Sequence, residues 1–333
     1  MNKKAFEIQF NWIFVLIAGA AILAFFIAIV AKQKSVSETS TKAVVLKNVE
    51  AMITGSGVST DTIALKQIPN SEIDVKCNSV SLGAISKTYQ NLILFAPSMI
   101  KGDKLVTQTI TFSVPYRATN LLFMTSPKLR YIVIGSSELA NEIYKLLPSD
   151  LSKEFYQSAP QIKNDNNYKV RFIFFGDIGI FPQSLKKMDD MDVSALKVSE
   201  DINQRTIEFF QKNGDSWISK GTSVYVGKES LIGAVYSDTL EAYECNMGNV
   251  FKRLNLVTRV LLVRTGKLYD NSFVSGRNTQ CTPFYQNAKE KLDAINSASS
   301  RFSPENVNAI IEAAKALTNE NRNVQTYSCP LIY

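Results

Sequence analysis

Hydrophobic positions run without interruption from Trp12 to Ala31, and the only hydrogen-bonding side chain in that stretch is the Trp12 indole. At 1.5 Å per residue, about 20 residues cover the roughly 30 Å hydrocarbon core of a bilayer. The pattern predicts a transmembrane helix over residues 12–31, behind a short flank over residues 1–11. Trp12 sits where interfacial aromatics collect, and Lys32 and Lys34 close the other end. Lys3 and Lys4 resemble the basic head of a cleaved signal. The apolar run exceeds the usual 7–15 residues of such signals, however, and no clean small-x-small cleavage site precedes the charged flank. A retained signal-anchor is the favoured expectation. Beyond it, Leu46, Val49 and Ile53 recur at helical spacing, flanked by Val45 and Met52, with Gly55 and Gly57 as the stop. Residues 32–57 are thus a juxtamembrane amphipathic helix, continuous with the span from about Phe6 to Thr54.

Past residue 57 the periodicity changes. Residues 58–127 read as a strand-rich segment: Asn91–Ala96 is a compact apolar run, and Leu105–Val114 alternates with β-branched residues. Gly83, Lys101-Gly102-Asp103 and Pro115 mark turns. Residues 128–237 read as an α/β core. Arg130–Ile134 is a strand. Glu138–Leu147 is a helix with Leu139, Ile143, Leu146 and Leu147 on one side. Lys169–Phe175 is a second strand, ended by Gly176-Asp177. Strand, helix, strand predicts a parallel βαβ unit. Thr222–Val226 and Leu231–Tyr236 read as a hairpin around Gly227–Ser230. Residues 238–333 are helical: Asp238 caps a helix to about Leu268, Thr282 one to Ala298, and Ser303-Pro304-Glu305 opens one to about Leu317. Polar connections span Gln157–Asn167 and Tyr269–Gln280. The fold class expected is α/β (mixed α+β).

Composition sharpens the picture in two ways. Of 333 residues, 45% are hydrophobic and 10% aromatic, which excludes disorder for the bulk of the chain. Histidine is absent. That removes Ser-His-Asp triads, Cys-His dyads and imidazole metal sites or pH switches. Four cysteines, Cys77, Cys245, Cys281 and Cys329, are widely spaced and form no CxxC pair. Two disulfides are the economical arrangement, and disulfides persist outside the cytosol. At least one should come from Cys245, Cys281 and Cys329, which border the C-terminal helices. Cys245–Cys281 is the pairing favoured, because the Tyr269–Gln280 connection needs tying down; Cys77 takes the leftover partner or stays buried. The flanking lysines do not decide orientation, so the expectation of an extracytoplasmic body at the cell membrane rests on the cysteines.

Few constellations carry chemistry. Gly135-Ser136-Ser137 is a strand-to-helix turn able to hold a phosphate, but it lacks any phosphate-loop spacing, and a helix cap by Ser137 accounts for it better. Three Ser-x-x-Lys spacings (Ser98–Lys101, Ser184–Lys187 and Ser194–Lys197) match chance. Asp189, Asp190 and Asp192 read as a solvated loop. The helix after Cys245 carries Lys252, Arg253, Arg259, Arg264 and Lys267, with no acid between Glu244 and Asp270. On a helical wheel these five fall within about 140°, opposite Phe251, Leu254, Val257 and Leu261. A solvated face explains them most simply; contact with anionic headgroups or an acidic partner is the functional alternative. Net charge is +7 and aromatics do not interleave with the basic residues, so nucleic acid is not an expected partner.

The head Lys3-Lys4-Ala5-Phe6-Glu7 and the helix that follows resemble the first helix of archaeal type IV pilin-like proteins, except that Glu7 falls too near a cut after Ala5. The stretch Phe112–Asn120 and the tail Ser328–Tyr333 resemble uncharacterised single-pass membrane proteins of archaea, a resemblance that implies no activity. The expectation is a single-pass envelope protein, without cofactor or catalytic residues, whose partners are the lipid bilayer and either another protein or copies of itself. The alternative is an enzyme or small-ligand binder at the carboxyl ends of the parallel strands, near Gly135 and Gly176.

Overall fold

The computed structural model describes all residues except 1–2, 57–58, 159–161, 164–166, 200, 202–203 and 275–278. The chain divides into two units, Met1–Asn48 and Val49–Tyr333. One continuous helix, α1 (Lys3–Ser56), begins in the first unit and ends in the second. Its window Val15–Gln33 has a mean hydropathy of 2.6 and is nowhere buried, so the helix is long and apolar enough to cross a membrane. The single helix expected from about Phe6 to Thr54 is present; of its two expected stops, Gly55 lies inside the helix and Gly57 lies outside the described residues.

The second unit is mixed α and β. Its first sheet is built from β1 (Ile63–Lys76), β2 (Ser79–Leu82), β3 (Ile85–Thr88), β4 (Leu94–Phe95), β5 (Met99–Ser113) and β6 (Arg117–Thr125). They lie in the order β3-β2-β1-β5-β6-β4, antiparallel except for β4 on β6. The second sheet follows with β7 (Leu129–Ile134), α2 (Glu138–Leu146), β8 (Ser152–Tyr156), β9 (Lys169–Phe175), β10 (Val193–Val198), β11 (Thr206–Asn213) and β12 (Ser216–Val224). Its order is β12-β11-β10-β9-β7-β8, with β8, β7, β9 and β10 parallel. The chain ends in α3 (Lys228–Tyr236), α4 (Leu240–Val274), α5 (Thr282–Ala298) and α6 (Pro304–Thr326).

The expected strands Arg130–Ile134 and Lys169–Phe175 do pair in parallel, as β7 and β9, but the strand that follows α2 in the chain is β8, which was not expected and which pairs on the other side of β7. Gln157–Asn167 is therefore the crossover from β8 to β9, with 159–161 and 164–166 outside the described residues. Strand alternation divides the core. Ile173 and Phe175 of β9 join the main core with Leu196, α3 and the C-terminal helices. Val170, Phe172 and Phe174 face the other way, onto a smaller cluster with Phe181 and Leu185, where the Trp217 indole donates to the Gly179 carbonyl at 3.1 Å. Ala140 and Ile143 of α2 and its C-cap Leu147 go inward, whereas Leu146, expected on the same side, is 39% exposed.

Several expectations are corrected. Leu231–Tyr236 is not a hairpin strand but most of α3, and every residue from Ser230 to Tyr236 is buried. A helix covered on all sides reads as an unbroken apolar run, which periodicity alone does not separate from a buried strand. Ser230 Oγ accepts from the backbone N–H groups of Val226 and Gly227 and fixes the helix start. Gly233 lets α3 approach the first sheet: a Cβ there would lie 2.8 Å from the Phe95 ring. The cap of α4 is Thr239, whose Oγ1 accepts from Ala242 N at 3.2 Å, rather than Asp238. The helices α4 and α6 also overrun their expected ends, so the first residues of the expected Tyr269–Gln280 connection are helical. Ser303 caps α6 as expected, accepting from Asn306 N at 3.3 Å.

Candidate functional site

Each strand-end glycine sits at a turn held by backbone hydrogen bonds. Gly135 has φ +153°, its N–H donates to Tyr156 O at 2.9 Å, and a Cβ there would lie 2.7 Å from Phe175 Cβ. Only glycine lets the ends of β7 and β9 pack this closely. Ser137 Oγ accepts from Ala140 N at 3.3 Å, so this hydroxyl caps α2. Gly135→Val should lower stability by about 2–4 kcal/mol through strain and overpacking; an unchanged chemical-unfolding midpoint would contradict this packing role. Beside Gly176 lies an open, polar cleft of about 670 Å³ whose lining includes Asp177, Lys197, Ser199 and Glu208. Asp177 is fully exposed and meets Lys197 at 3.6 Å.

None of the Ser-x-x-Lys spacings forms a dyad. Ser184 Oγ donates to Ile162 O. Ser98 turns away from Lys101 and joins a buried cluster that the sequence did not reveal. Ser98 Oγ donates to Asp238 Oδ2 at 2.8 Å, Ser98 N donates to Asp238 Oδ1 at 2.8 Å, and Lys169 Nζ forms an ion pair with Asp238. Burial alone would raise the Asp238 carboxyl. The Lys169 ammonium and the Ser98 hydrogen bonds outweigh it and hold the group below its ordinary value. Through these contacts Ser98 and Lys169 tie the two sheets to Asp238, just before the start of α4. Arg171, on the same face of β9, is also buried; NH1 donates to Ala195 O at 3.2 Å and NH2 to Ala234 O at 3.0 Å. Burial brings its pKa down to about 10, so it stays charged at neutral pH. The acidic run is likewise structural: Asp189 Oδ1 accepts from Met191 N at 3.0 Å, and Asp190 pairs with the buried Lys212.

The cysteines form two bridges, Cys77–Cys245 and Cys281–Cys329, with Cα separations of 5.9 and 6.0 Å. One bridge does come from the C-terminal trio and Cys77 takes the leftover partner, but the favoured Cys245–Cys281 pairing is wrong. Cys245 lies in the second turn of α4, beside the β1–β2 turn that carries Cys77, whereas Cys281 opens α5 at the far end of α4. Chain proximity suggested a pairing that the length of α4 forbids.

All five basic residues of α4 are exposed, and Phe251, Leu254 and Leu261 are buried opposite them, as the wheel predicted. Asn246 and Asn249 anchor the helix: Asn246 Oδ1 accepts from Leu94 N at 2.8 Å, and Asn249 Nδ2 donates to Leu92 O at 2.8 Å. The inward hydroxyls of Thr258 and Thr265 donate to the carbonyls of Leu254 and Leu261. An apolar ridge that was not expected lies between the cations. Leu256, Val260 and Val263 are 53%, 69% and 63% exposed and form one ridge along the helix. The signal was present as i, i+4, i+7 spacing, but a stripe flanked by lysines and arginines reads as solvated surface.

No family model, curated protein or solved structure matches this chain.

Proposed function

We propose that this chain is a single-pass membrane protein whose mixed α/β body lies outside the cytoplasm and works by binding another protein or assembling. The observation that carries the proposal is α1, a continuous helix whose apolar window Val15–Gln33 stands uncovered in the first unit. Such a surface is stable in hydrocarbon and unstable in water. Two disulfides in the second unit support an exterior location, because cytosolic thiols are kept reduced. The α4 face, with five cations around an apolar ridge, is the surface best suited to a partner. The resemblance of the first helix to pilin-like proteins belongs with this reading.

A retained anchor and a cleaved signal give opposite results in one experiment. After alkaline carbonate extraction of native membranes, the protein should remain in the pellet, and its intact mass should include residues 15–33. A soluble product that begins beyond residue 33 would overturn the anchored reading.

A further inference from the structure

The exposed ridge of α4 has a geometry that specifies its occupant. With Leu256 at heptad position d, Val260 falls at a and Val263 at d, while Arg253 and Lys267 occupy the a positions at either end. Lys252 and Arg259 then stand at g and Arg264 at e, the positions that flank a two-helix seam. The three aliphatic side chains fall within about 60° of the helical wheel. A helix lying in a bilayer surface presents a broad apolar face, generally with aromatic anchors. A seam this narrow, with cations on both margins and no aromatic within it, instead fits one partner helix.

Charge limits the choice further. Two copies meeting through α4 would set five cations against five at the seam, which like-charge repulsion disfavours. Binding proteins from this family of interfaces read register and partner through the e and g positions. Resting on the reading of the body as an interaction module, we infer that α4 docks an acidic amphipathic helix of another protein. That helix places two or three aliphatic side chains on Leu256, Val260 and Val263, and its glutamates or aspartates on Arg259 and Arg264. The inner face of α4 is already fixed by the core and by Asn246 and Asn249, so the helix is preorganised and its outer side chains can vary without unfolding it.

The probes are two synthetic three-heptad helical peptides with identical Leu and Val seams, one with Glu and one with Lys at every e and g position. Binding to the full chain in neutral-lipid nanodiscs is followed by fluorescence anisotropy. The Glu peptide should bind at least about ten-fold more tightly than the Lys peptide, and salt should weaken it. Arg259→Glu with Arg264→Glu should reverse the preference, and Val260→Asp should abolish binding of the Glu peptide with thermal melting unchanged. Equal affinities, no saturable binding, or a preference that survives the charge reversal would overturn the inference. Protection of the α4 face by anionic-lipid nanodiscs in the absence of peptide would also overturn it, by assigning the face to headgroups. Insertion of the chain into nanodiscs is scored separately, so loss of peptide binding and loss of anchoring are distinguishable.

Discussion

Lys169→Ala should lower the unfolding free energy of the body by about 3–5 kcal/mol, read as a fall in the chemical-unfolding midpoint. The variant leaves Asp238, which is only 7% exposed, without its Lys169 partner, and the buried Arg171 does not take that place, since its guanidinium is held by Ala195 and Ala234 carbonyls. Removing one member of a buried pair leaves an uncompensated charge, whereas removing both leaves a change of packing and the two Ser98 donors without their acceptor, a smaller cost. Lys169→Met combined with Asp238→Leu should therefore recover most of the loss; the double variant being as unstable as the single one would contradict the ion-pair account. The pH dependence follows from the same cluster. The folded Asp238 carboxyl is held below its ordinary value, so its contribution is complete above the unfolded value of about 3.9 and is lost as pH falls through the lower folded value. Stability attributable to this group should be flat from neutral pH down to about 5 and decline below about 4 in wild type. In the double variant that acid-side decline should shrink.

The second large effect belongs to the disulfides. Cys281→Ser with Cys329→Ser opens a crosslink of sequence separation 48, for which chain entropy gives a loss of about 4 kcal/mol. Cys77→Ser with Cys245→Ser opens one of separation 168 and gives about 5 kcal/mol. The paired substitutions avoid leaving a lone thiol to exchange with the other bridge. Unfolding midpoints compared under non-reducing conditions test both values. Losses below about 1 kcal/mol would show that the bridges do not restrain the unfolded chain. Non-reducing peptide mapping of protein alkylated before lysis checks the connectivity itself, and recovery of Cys245 linked to Cys281 would contradict the structure.

Elements were legible in the sequence where one physical signal dominated. The apolar run after Trp12, the strand Lys169–Phe175 ended by Gly176 and the Ser303-Pro304-Glu305 helix start each have a single strong cause. Legibility failed where burial removed the periodic signal: α3 is covered on all sides, so its run from Leu231 to Tyr236 carries no polar face to betray a helix. Ser152–Tyr156 escaped for the opposite reason. Each of its five residues is half-buried at a sheet edge, and the alternation that marks a strand is missing. The Ser98–Lys169–Asp238 cluster escaped because its members are scattered over three segments, and only the packing of two sheets brings them together. The basic side of α4 was visible from spacing alone. Its apolar ridge was not singled out, because the exposure of Leu256, Val260 and Val263 is visible only in the folded body.

The proposal most in need of a test is that the chain is anchored and its body lies outside the cytoplasm. Protease added to intact cells stripped of their outer wall, followed by mass spectrometry of the washed membranes, tests this most directly. The account predicts that the body beyond about residue 34 is digested while a membrane-embedded fragment containing Val15–Gln33 survives. A body fully protected in intact cells and digested only after lysis would contradict it.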